Sequence, residues 1–207
     1  MSFKAFEQNN YIDFTDNGYE RENQLQWGDS EGTLRLTRTG SDIAEGQVIC
    51  VIGSGYQDDD FTFTTCGSSD NANWKISSLN GSSNFNLSST DQLWLLHGGD
   101  WQNPSGNHNA TYTGNMLYAW SSTGWEDLFN FGSTSGSTLH KEMDCYNINS
   151  ESIINETKVK YTGNISSPSK NQFEWISEIN NDNNWTGYAD NITYYTTGPD
   201  YKNGTCS

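Results

Sequence analysis

Apolar and polar residues alternate along several short stretches of the chain. The segments Leu34-Arg35-Leu36-Thr37-Arg38 and Phe61-Thr62-Phe63-Thr64 follow a period of two residues, which is the pattern of a strand with one buried face. Clusters of Gly, Asn, Ser and Asp separate these stretches and are typical of turns. The pattern predicts strands at residues 11–15, 32–39, 47–53, 61–66, 84–88, 92–97, 116–120, 158–162 and 192–196.

One segment has helical spacing instead. Ser167 is a candidate N-cap and Pro168 suits the first helical position. A single short helix is therefore predicted near residues 168–180. Many short strands around one helix predict an all-β fold, an antiparallel β-sandwich in which residues 1–207 form one domain. The apolar residues expected on one side of the helix are Phe173, Ile176 and Ile179.

The composition is acidic and rich in aromatic residues. The 207 residues include 26 acidic and 10 basic side chains, a net charge of −16, which argues against binding to the phosphates of a nucleic acid. Eight Trp, 11 Tyr and 9 Phe supply large apolar surfaces for a core. No apolar run approaches the roughly 20 residues that span a bilayer. Residues 1–6 lack the apolar segment of a signal peptide, so we expect that a leader has been removed or that the chain begins within a longer protein.

Four cysteines lie far apart and include no C-x-x-C pair, which argues against zinc. Two disulfides are predicted from Cys50, Cys66, Cys145 and Cys206. Three pairings are open, and Cys50–Cys66 with Cys145–Cys206 is favoured because each closes a loop within one half of the chain. Each loop would stabilise the fold by roughly 3–4 kcal/mol in the chain-entropy model. The alternative is four buried thiols in a reduced cytosol.

Eight Asn-x-Ser/Thr sequons occur, all after residue 79. About five would arise by chance from this composition, so their clustering is more informative than their number. Together with the even number of cysteines, they predict a glycosylating, oxidising secretory route and an extracellular or cell-surface location. The predicted N-glycosylation sites are Asn80, Asn86, Asn109, Asn155, Asn164, Asn184, Asn191 and Asn203.

Five blocks of the sequence resemble, in order, those of a secreted β-rich domain of bacterial and protist surface proteins. YIDFTDNGY at 11–19, EGTL at 31–34 and AEGQV at 44–48 are similar to that family's FTDNGW, EGTL and AGTVV. SSTDQLWLLHGG at 88–99 and INNDNNWTG at 179–187 are similar to its sGDQLFLYQG and INNPANWTG. The resemblance implies a β-sandwich surface module, distantly like lamin-tail domains, without catalytic residues.

Members of that family usually begin with one more strand, of the type DIAFVGYNADGPDDF, which is missing here ahead of residues 2–17. If the fold is retained, a sheet edge or groove is open, and open edges accept strands from other chains. This suggests strand exchange between copies and a self-assembling subunit of a filament or lattice. A trimmed boundary and another strand in that place are the alternatives.

Candidate chemistry is sparse. Asp58, Asp59 and Asp60 are weak candidates for calcium, which takes six to eight oxygen ligands, and a solvated turn is the alternative. Asp16-Asn17-Gly18 is typical of a turn after a strand. No G-x-S-x-G elbow occurs, so no enzyme activity is predicted. Apart from calcium, no cofactor is expected.

Four tryptophans lie in the middle of the chain. Trp94 and Trp120 fall within predicted strands and are assigned to the core. Trp101 and Trp125, next to Gly, Asp or Glu, are expected to be exposed and are the candidate sugar-binding residues. Aromatic faces beside amides and carboxylates suit a sugar ring.

The favoured function is therefore a secreted, N-glycosylated structural protein of a cell surface or extracellular matrix. It is expected to form a homo-oligomer or polymer, to bind no nucleic acid and to have no membrane span. The alternatives are a carbohydrate-binding, lectin-like module assisted by calcium and, third, a secreted hydrolase.

Overall fold

The computed structural model describes residues 5–20, 26–44, 47, 49–65, 68–81, 83–87, 91–103, 109–121, 124–125, 137–138, 143, 147–149, 159–163 and 170–187. This part of the chain is rich in strands, forms several antiparallel sheets and contains one short α-helix. The predicted all-β, sandwich-like fold is confirmed. Within these ranges no helix is both long and apolar enough to cross a membrane.

The described strands are short, as expected for a chain that contains so many Gly, Asn and Ser residues. The helix α1 is Gln172–Ile179. The strands are β1 (Tyr11–Thr15), β2 (Tyr19–Glu20), β3 (Gln26–Trp27), β4 (Thr33–Arg38), β5 (Ile49–Gly53), β6 (Phe61–Thr65), β7 (Ser68–Ser69), β8 (Trp74–Ser78), β9 (Gln92–His97), β10 (Trp101–Gln102), β11 (Thr111–Tyr112), β12 (Asn115–Ser121), β13 (Asn147–Asn149), β14 (Val159–Tyr161) and β15 (Trp185–Gly187).

A six-stranded central sheet organises the molecule, in the order β13-β12-β9-β1-β4-β8. Its neighbouring strands are antiparallel, except that β12 and β13 run parallel. In this register Phe14 of β1 lies opposite Leu34 of β4 on one side and Leu95 of β9 on the other. Directly opposed residues point to the same face, so these three apolar side chains share one face of the sheet.

Each face of the central sheet is covered by its own hydrophobic core. The first core joins Phe14, Leu34 and Leu36 to Phe61 and Phe63 of β6, so the small β5-β6-β7 sheet packs on this face. The second core lies on the opposite face, because alternate residues of a strand point to opposite sides. Its members are Tyr19, Trp27, Trp94, Leu96, Trp101, Ala110, Ala119 and Met143.

Most predicted strands are present, and the differences have clear causes. β1 and β9 have the predicted bounds. In place of a strand at 84–88, Phe85 forms a single bridge to Gly55. The prediction missed β8, although Trp74 and Ile76 are buried and Lys75 between them is exposed. The predicted strand at 192–196 lies outside the described residues.

The predicted helix is present, but it begins later in the sequence than predicted. Its N-cap is Asn171, whose side chain accepts hydrogen bonds from the backbone N–H of Glu174, while the Glu174 carboxylate accepts from the Asn171 N–H. This reciprocal pair satisfies the first turn and replaces the expected cap at Ser167, which lies outside the described residues. Of the residues expected on the apolar side, Ile176 and Ile179 are half-buried, but Phe173 is 74% exposed and Trp175 is buried in its place.

Candidate functional site

An apolar groove lies between the β5–β6 hairpin and the central sheet. Its volume is about 430 Å³. Ile49 and Val51 of β5 form one wall, and Ile12 and Leu95 of the central sheet belong to its floor. All of the side chains that line the groove are apolar. An occupant therefore meets no charge there and has only backbone groups as hydrogen-bond partners.

Strand β5 is the edge of its sheet. It pairs with β6, and among the described residues no strand follows it on the other side. Val51 and Ile52 are 38% and 43% exposed. In an antiparallel pair, alternate residues direct their N–H and C=O groups away from the partner strand. The groove is thus bordered by backbone that is oriented to pair with a further strand.

Residues 83–87 also border the groove. Phe85 is buried and packs edge to face on Phe14, with 4.9 Å between the ring centroids. Leu87 also lines the groove but is 40% exposed. The segment is held by two backbone hydrogen bonds between Phe85 and Gly55, both 2.8 Å long. A third anchor comes from the residue that follows β1, where the Asp16 carboxylate accepts the N–H of Asn86 at 2.7 Å.

Asp16 and Asn17 form a buried polar corner behind this segment, rather than the solvated turn expected from their sequence. The Asn17 side chain accepts the Glu31 N–H at 3.0 Å and donates to Thr15 and Thr33 hydroxyls. Burial raises the pKa of Asp16 to about 7, with a further contribution from the charge of Asp91. One carboxylate oxygen of Asp16, Oδ1, is buried and accepts no hydrogen bond from the described residues. An ionised Asp16 would therefore be incompletely compensated.

Gly32 allows the 83–87 segment to approach the central sheet. A Cβ atom at this position would lie 2.4 Å from the backbone nitrogen of Phe85, closer than real Cβ contacts. We expect Gly32→Ala to push the segment outward and to lower the free energy of unfolding by about 1–3 kcal/mol. Urea unfolding measures that loss, and binding of an apolar dye reports the opened groove. A variant within about 0.5 kcal/mol of the wild type would contradict this account.

The three candidate calcium ligands are separated by their hydrogen bonds. Asp58–Asp60 form a 3₁₀ turn. The Asp60 carboxylate accepts the N–H groups of Tyr56 and Gln57 at 2.9 and 3.0 Å, whereas Asp58 accepts the N–H of Ile76 on β8. In the part of the chain that the structure describes, no group of three or more His, Cys, Asp or Glu residues is arranged to hold a metal ion. Asp58, Asp59 and Asp60 thus do not gather into a cation site.

The structure corrects the expected exposure of Trp101. Only 8% of this residue is exposed, and its ring packs on Trp27 with 5.7 Å between centroids. Its strand, β10, pairs with β11 and turns the indole into the second core. Trp125 is half-buried and packs on Trp94, which is fully buried as expected. Trp101 therefore presents no open face to a sugar.

The predicted glycosylation sites differ in accessibility. Asn86 is exposed, whereas Asn80, Asn109 and Asn184 are half-buried. The Asn80 side chain accepts the Thr33 N–H at 3.0 Å and donates to the Glu31 carbonyl at 2.6 Å. Asn184 donates to the Glu178 carboxylate at 2.7 Å. Of the described sequons, Asn86 is thus the most accessible. Outside the described residues lie Asn155, Asn164, Asn191 and Asn203.

The predicted disulfides involve residues that are mostly outside the described part. Cys50 lies half-buried in β5, opposite Thr64 of β6. Cys66, Cys145 and Cys206 lie outside the described residues. Both favoured pairings therefore stay predictions.

Sequence reasoning expected an open sheet edge or groove from the missing first strand, but it did not place that groove beside β5. A signal for its position was the run Val48-Ile49-Cys50-Val51-Ile52, the most apolar in the chain, because apolar residues on both faces of an edge strand leave one face uncovered. Family models, curated proteins and solved structures were each compared with this chain, and none of them matches it.

Proposed function

We propose that this protein is a secreted, N-glycosylated structural subunit of a cell surface or extracellular matrix, and that it assembles with copies of itself through the apolar groove. The observation that carries the proposal is the edge strand β5, which pairs with one neighbouring strand in the described part of the chain and borders an apolar groove with exposed Val51 and Leu87 at its rim. Such an arrangement accepts an added strand, whose backbone would pair with β5 and whose side chains would enter the groove.

A comparison of two sheet edges supports this choice. Strand β8, at one edge of the central sheet, carries the exposed Lys75, and the Asp58 carboxylate accepts the N–H of its Ile76. A charged side chain and a capped backbone are common ways to prevent pairing at an edge. Strand β5, with the sequence ICVIG, contains no charged residue and no proline. The chain thus protects one edge, whereas the apolar side chains Val51 and Ile52 of the other edge are partly exposed.

The net charge of −16 also shapes the proposed assembly. Copies of the chain repel one another at low ionic strength, whereas the groove itself has no charged lining residue. Salt shortens the range of the repulsion to about 10 Å at 0.1 M and leaves apolar contacts intact. Assembly should therefore strengthen as salt is added, the opposite of an association between unlike charges.

The test is the assembly state of the full glycosylated chain, measured by sedimentation and electron microscopy. We expect Val51→Lys to raise the concentration needed for assembly at least about tenfold, because the added strand would bury a charge. Leu117→Lys is the matched control, since Leu117 is 43% exposed on β12, away from the groove. Equal assembly of the two variants, or a wild-type chain that stays monomeric in high salt, would refute the proposal.

A further inference from the structure

We propose that the strand that pairs with β5 is the β5 strand of a second copy of the chain, an inference that rests on the proposed self-assembly. The two strands run antiparallel about a two-fold axis at Val51, so that each copy gives and receives the same contact. The β5-β6-β7 sheets of the two copies thereby join into one continuous sheet. Three features of β5 support this contact: the direction of its backbone groups, its lack of charge and the apolar face that it turns to the groove.

The backbone of β5 is oriented for a partner on its open side. Strand β6 uses both backbone groups of Phe63 on the side of β7, where the Phe63 carbonyl accepts the N–H of Asp70 at 2.9 Å and the Phe63 N–H donates to the Asn71 side chain at 2.7 Å. Val51 lies directly opposite Phe63, so these two residues form a non-hydrogen-bonded pair. Val51 therefore directs its own N–H and C=O away from β6, toward the open edge.

A strand pair centred on Val51 uses all of the outward backbone groups of β5. In an antiparallel ladder, a residue and its direct opposite exchange two hydrogen bonds at every second position. Val51 opposite its counterpart is one such pair, and Ile49 opposite Gly53 of the other copy recurs on both sides of the axis. The contact is confined to β5, because Gly55 beyond it already exchanges two hydrogen bonds of 2.8 Å with Phe85.

The lack of charge around β5 lets two acidic chains approach each other there. Residues 46–57 contain no charged side chain, although the whole chain has a net charge of −16. Two other sheet edges in the described part differ, since β8 carries the exposed Lys75 and β7 consists of two exposed serines. A charged side chain at an apolar groove loses its hydration without gaining a partner. Strand β5 thus meets the requirement that its own groove sets for an occupant.

The side chains of β5 also complement those of a second copy. Ile49 and Val51 line the groove, and directly opposed residues point to the same face of a sheet. The second copy therefore brings its own Ile49 and Val51 to the open side of the groove, next to a Val51 side chain that is 38% exposed. Because the contact is reciprocal, both grooves are covered at once.

A two-fold contact of this kind is closed, because it uses the same patch on both molecules. The β5 contact by itself therefore produces a dimer. This dimer is the unit of the proposed structural assembly, and growth into a filament or lattice needs a second surface.

Opposite charges at position 51 test the two-fold axis. Val51→Lys and Val51→Glu each place like charges face to face in a dimer, and we expect each to raise the dissociation constant at least about tenfold. A mixture of the two variants places opposite charges face to face, so the mixed pair should bind at least about tenfold more tightly than either variant binds itself. Sedimentation of the full glycosylated chains, with one variant fluorescently labelled, measures all three dissociation constants.

Leu117→Lys and Leu117→Glu are the matched controls. Leu117 is 43% exposed and lies on β12, outside the lining of the groove. Alone or mixed, these two variants should assemble like the wild type. Urea unfolding of all four variants establishes that each is folded, which is expected because both positions are partly exposed in the single chain.

Hydrogen exchange of the unsubstituted protein provides a second measurement. The Val51 amide should exchange in the monomer and be protected in the assembled state, because its N–H gains a partner only from the second copy. The Ile52 amide points to β6 by the same alternation, so it should be protected in both states.

The outcomes separate this inference from the proposed function. If Val51→Lys and Val51→Glu both weaken assembly but their mixture binds no more tightly than either alone, the groove is used by a different strand, and only the inference is overturned. Equal exchange of the Val51 amide in the monomer and the assembled state would also overturn it. If the wild type stays monomeric in high salt, the proposed function fails as well.

Discussion

Asp70→Ala should lower the free energy of unfolding by about 3–5 kcal/mol, because it leaves a buried guanidinium without its carboxylate. Arg38 is buried and forms an ion pair with Asp70, and its guanidinium lies over the Trp74 ring. Asp70 also accepts hydrogen bonds from Thr65 at 2.5 Å, Asn73 at 2.6 Å and the Trp74 indole at 2.9 Å. One carboxylate therefore joins β4, β6 and β8. Urea unfolding monitored by tryptophan fluorescence measures the loss.

Two further variants serve as comparisons for Asp70→Ala. Asp70→Asn keeps the size of the side chain and an amide oxygen, so we expect an intermediate loss of about 2 kcal/mol. Asp59→Ala removes an exposed carboxylate of the 3₁₀ turn and should change stability by less than about 0.5 kcal/mol. If Asp70→Ala were no more harmful than Asp59→Ala, the hydrogen-bond network would not hold the three strands together.

The same carboxylate should make the protein sensitive to acid. Burial acts to raise the pKa of Asp70, but hydrogen bonds from Thr65, Asn73, Arg38 and Trp74 outweigh it and hold that pKa below its ordinary value. The stabilisation is therefore complete above the pKa of the unfolded chain and is lost as the pH falls through the lower pKa of the folded protein. Asp70→Ala should lose this part of the acid sensitivity.

The strands could be predicted from the sequence wherever one face is buried and the other is not. Leu34 and Leu36 alternate with Arg35 and Thr37 because β4 has a core on one side and polar partners on the other. The same reasoning applies to Trp74 and Ile76 of β8, which were overlooked because a lysine and serines surround them in a short run. Alternation is local, so it is visible in the sequence.

The residues that form the candidate site are far apart in the sequence. Ile12, Val51, Leu87 and Leu95 border one groove, yet 83 positions in the sequence separate the first of them from the last. Only the pairing of β1 with β9 and the packing of β5–β6 over them bring these side chains together. No pattern within a single segment carries that information.

Sequence context also misled the assignment of two residues. Trp101 lies between Asp100 and Gln102, but side chains alternate across a strand, so polar neighbours are compatible with a buried indole. Asp16 resembles a turn residue, yet the 83–87 segment covers it and donates an N–H to it. The covering segment is 70 residues away in the sequence, so burial of Asp16 could not be predicted.

Asp16 should make the protein less stable as the pH rises from 4 to 7, which is the second large effect we expect. In the unfolded chain an aspartate titrates near pH 4, whereas burial raises the pKa of Asp16 to about 7 in the folded protein. Between these values the folded state holds a proton that the unfolded state has released. The contribution of Asp16 is therefore fully present below about pH 4 and is lost as the pH rises through 7, a change of about 4 kcal/mol.

Asp16→Asn isolates this contribution, because asparagine is similar in shape and cannot ionise. We expect the stability of the variant to fall less between pH 4 and 7. We also expect the variant to exceed the wild type at pH 8, where the wild type must bury a carboxylate whose Oδ1 accepts no hydrogen bond from the described residues. Asp59→Asn changes the charge equally at an exposed position and should keep the wild-type slope. Parallel stability curves for Asp16→Asn and the wild type across this range would contradict the assignment.

Ionisation of Asp16 should act first on the segment that covers it. The Asn86 N–H is bonded to Asp16 Oδ2, so water that enters to hydrate the ionised carboxylate has to displace residues 83–87, with Phe85 and Leu87 of the groove rim. Amide hydrogen exchange at Phe85 and Gly55, corrected for the intrinsic effect of pH, should therefore accelerate between pH 6 and 8 in the wild type and stay constant in Asp16→Asn. Exchange that accelerates equally in both proteins would place the pH-sensitive group elsewhere, whereas the expected difference would connect a buried carboxylate of the central sheet to the shape of the groove.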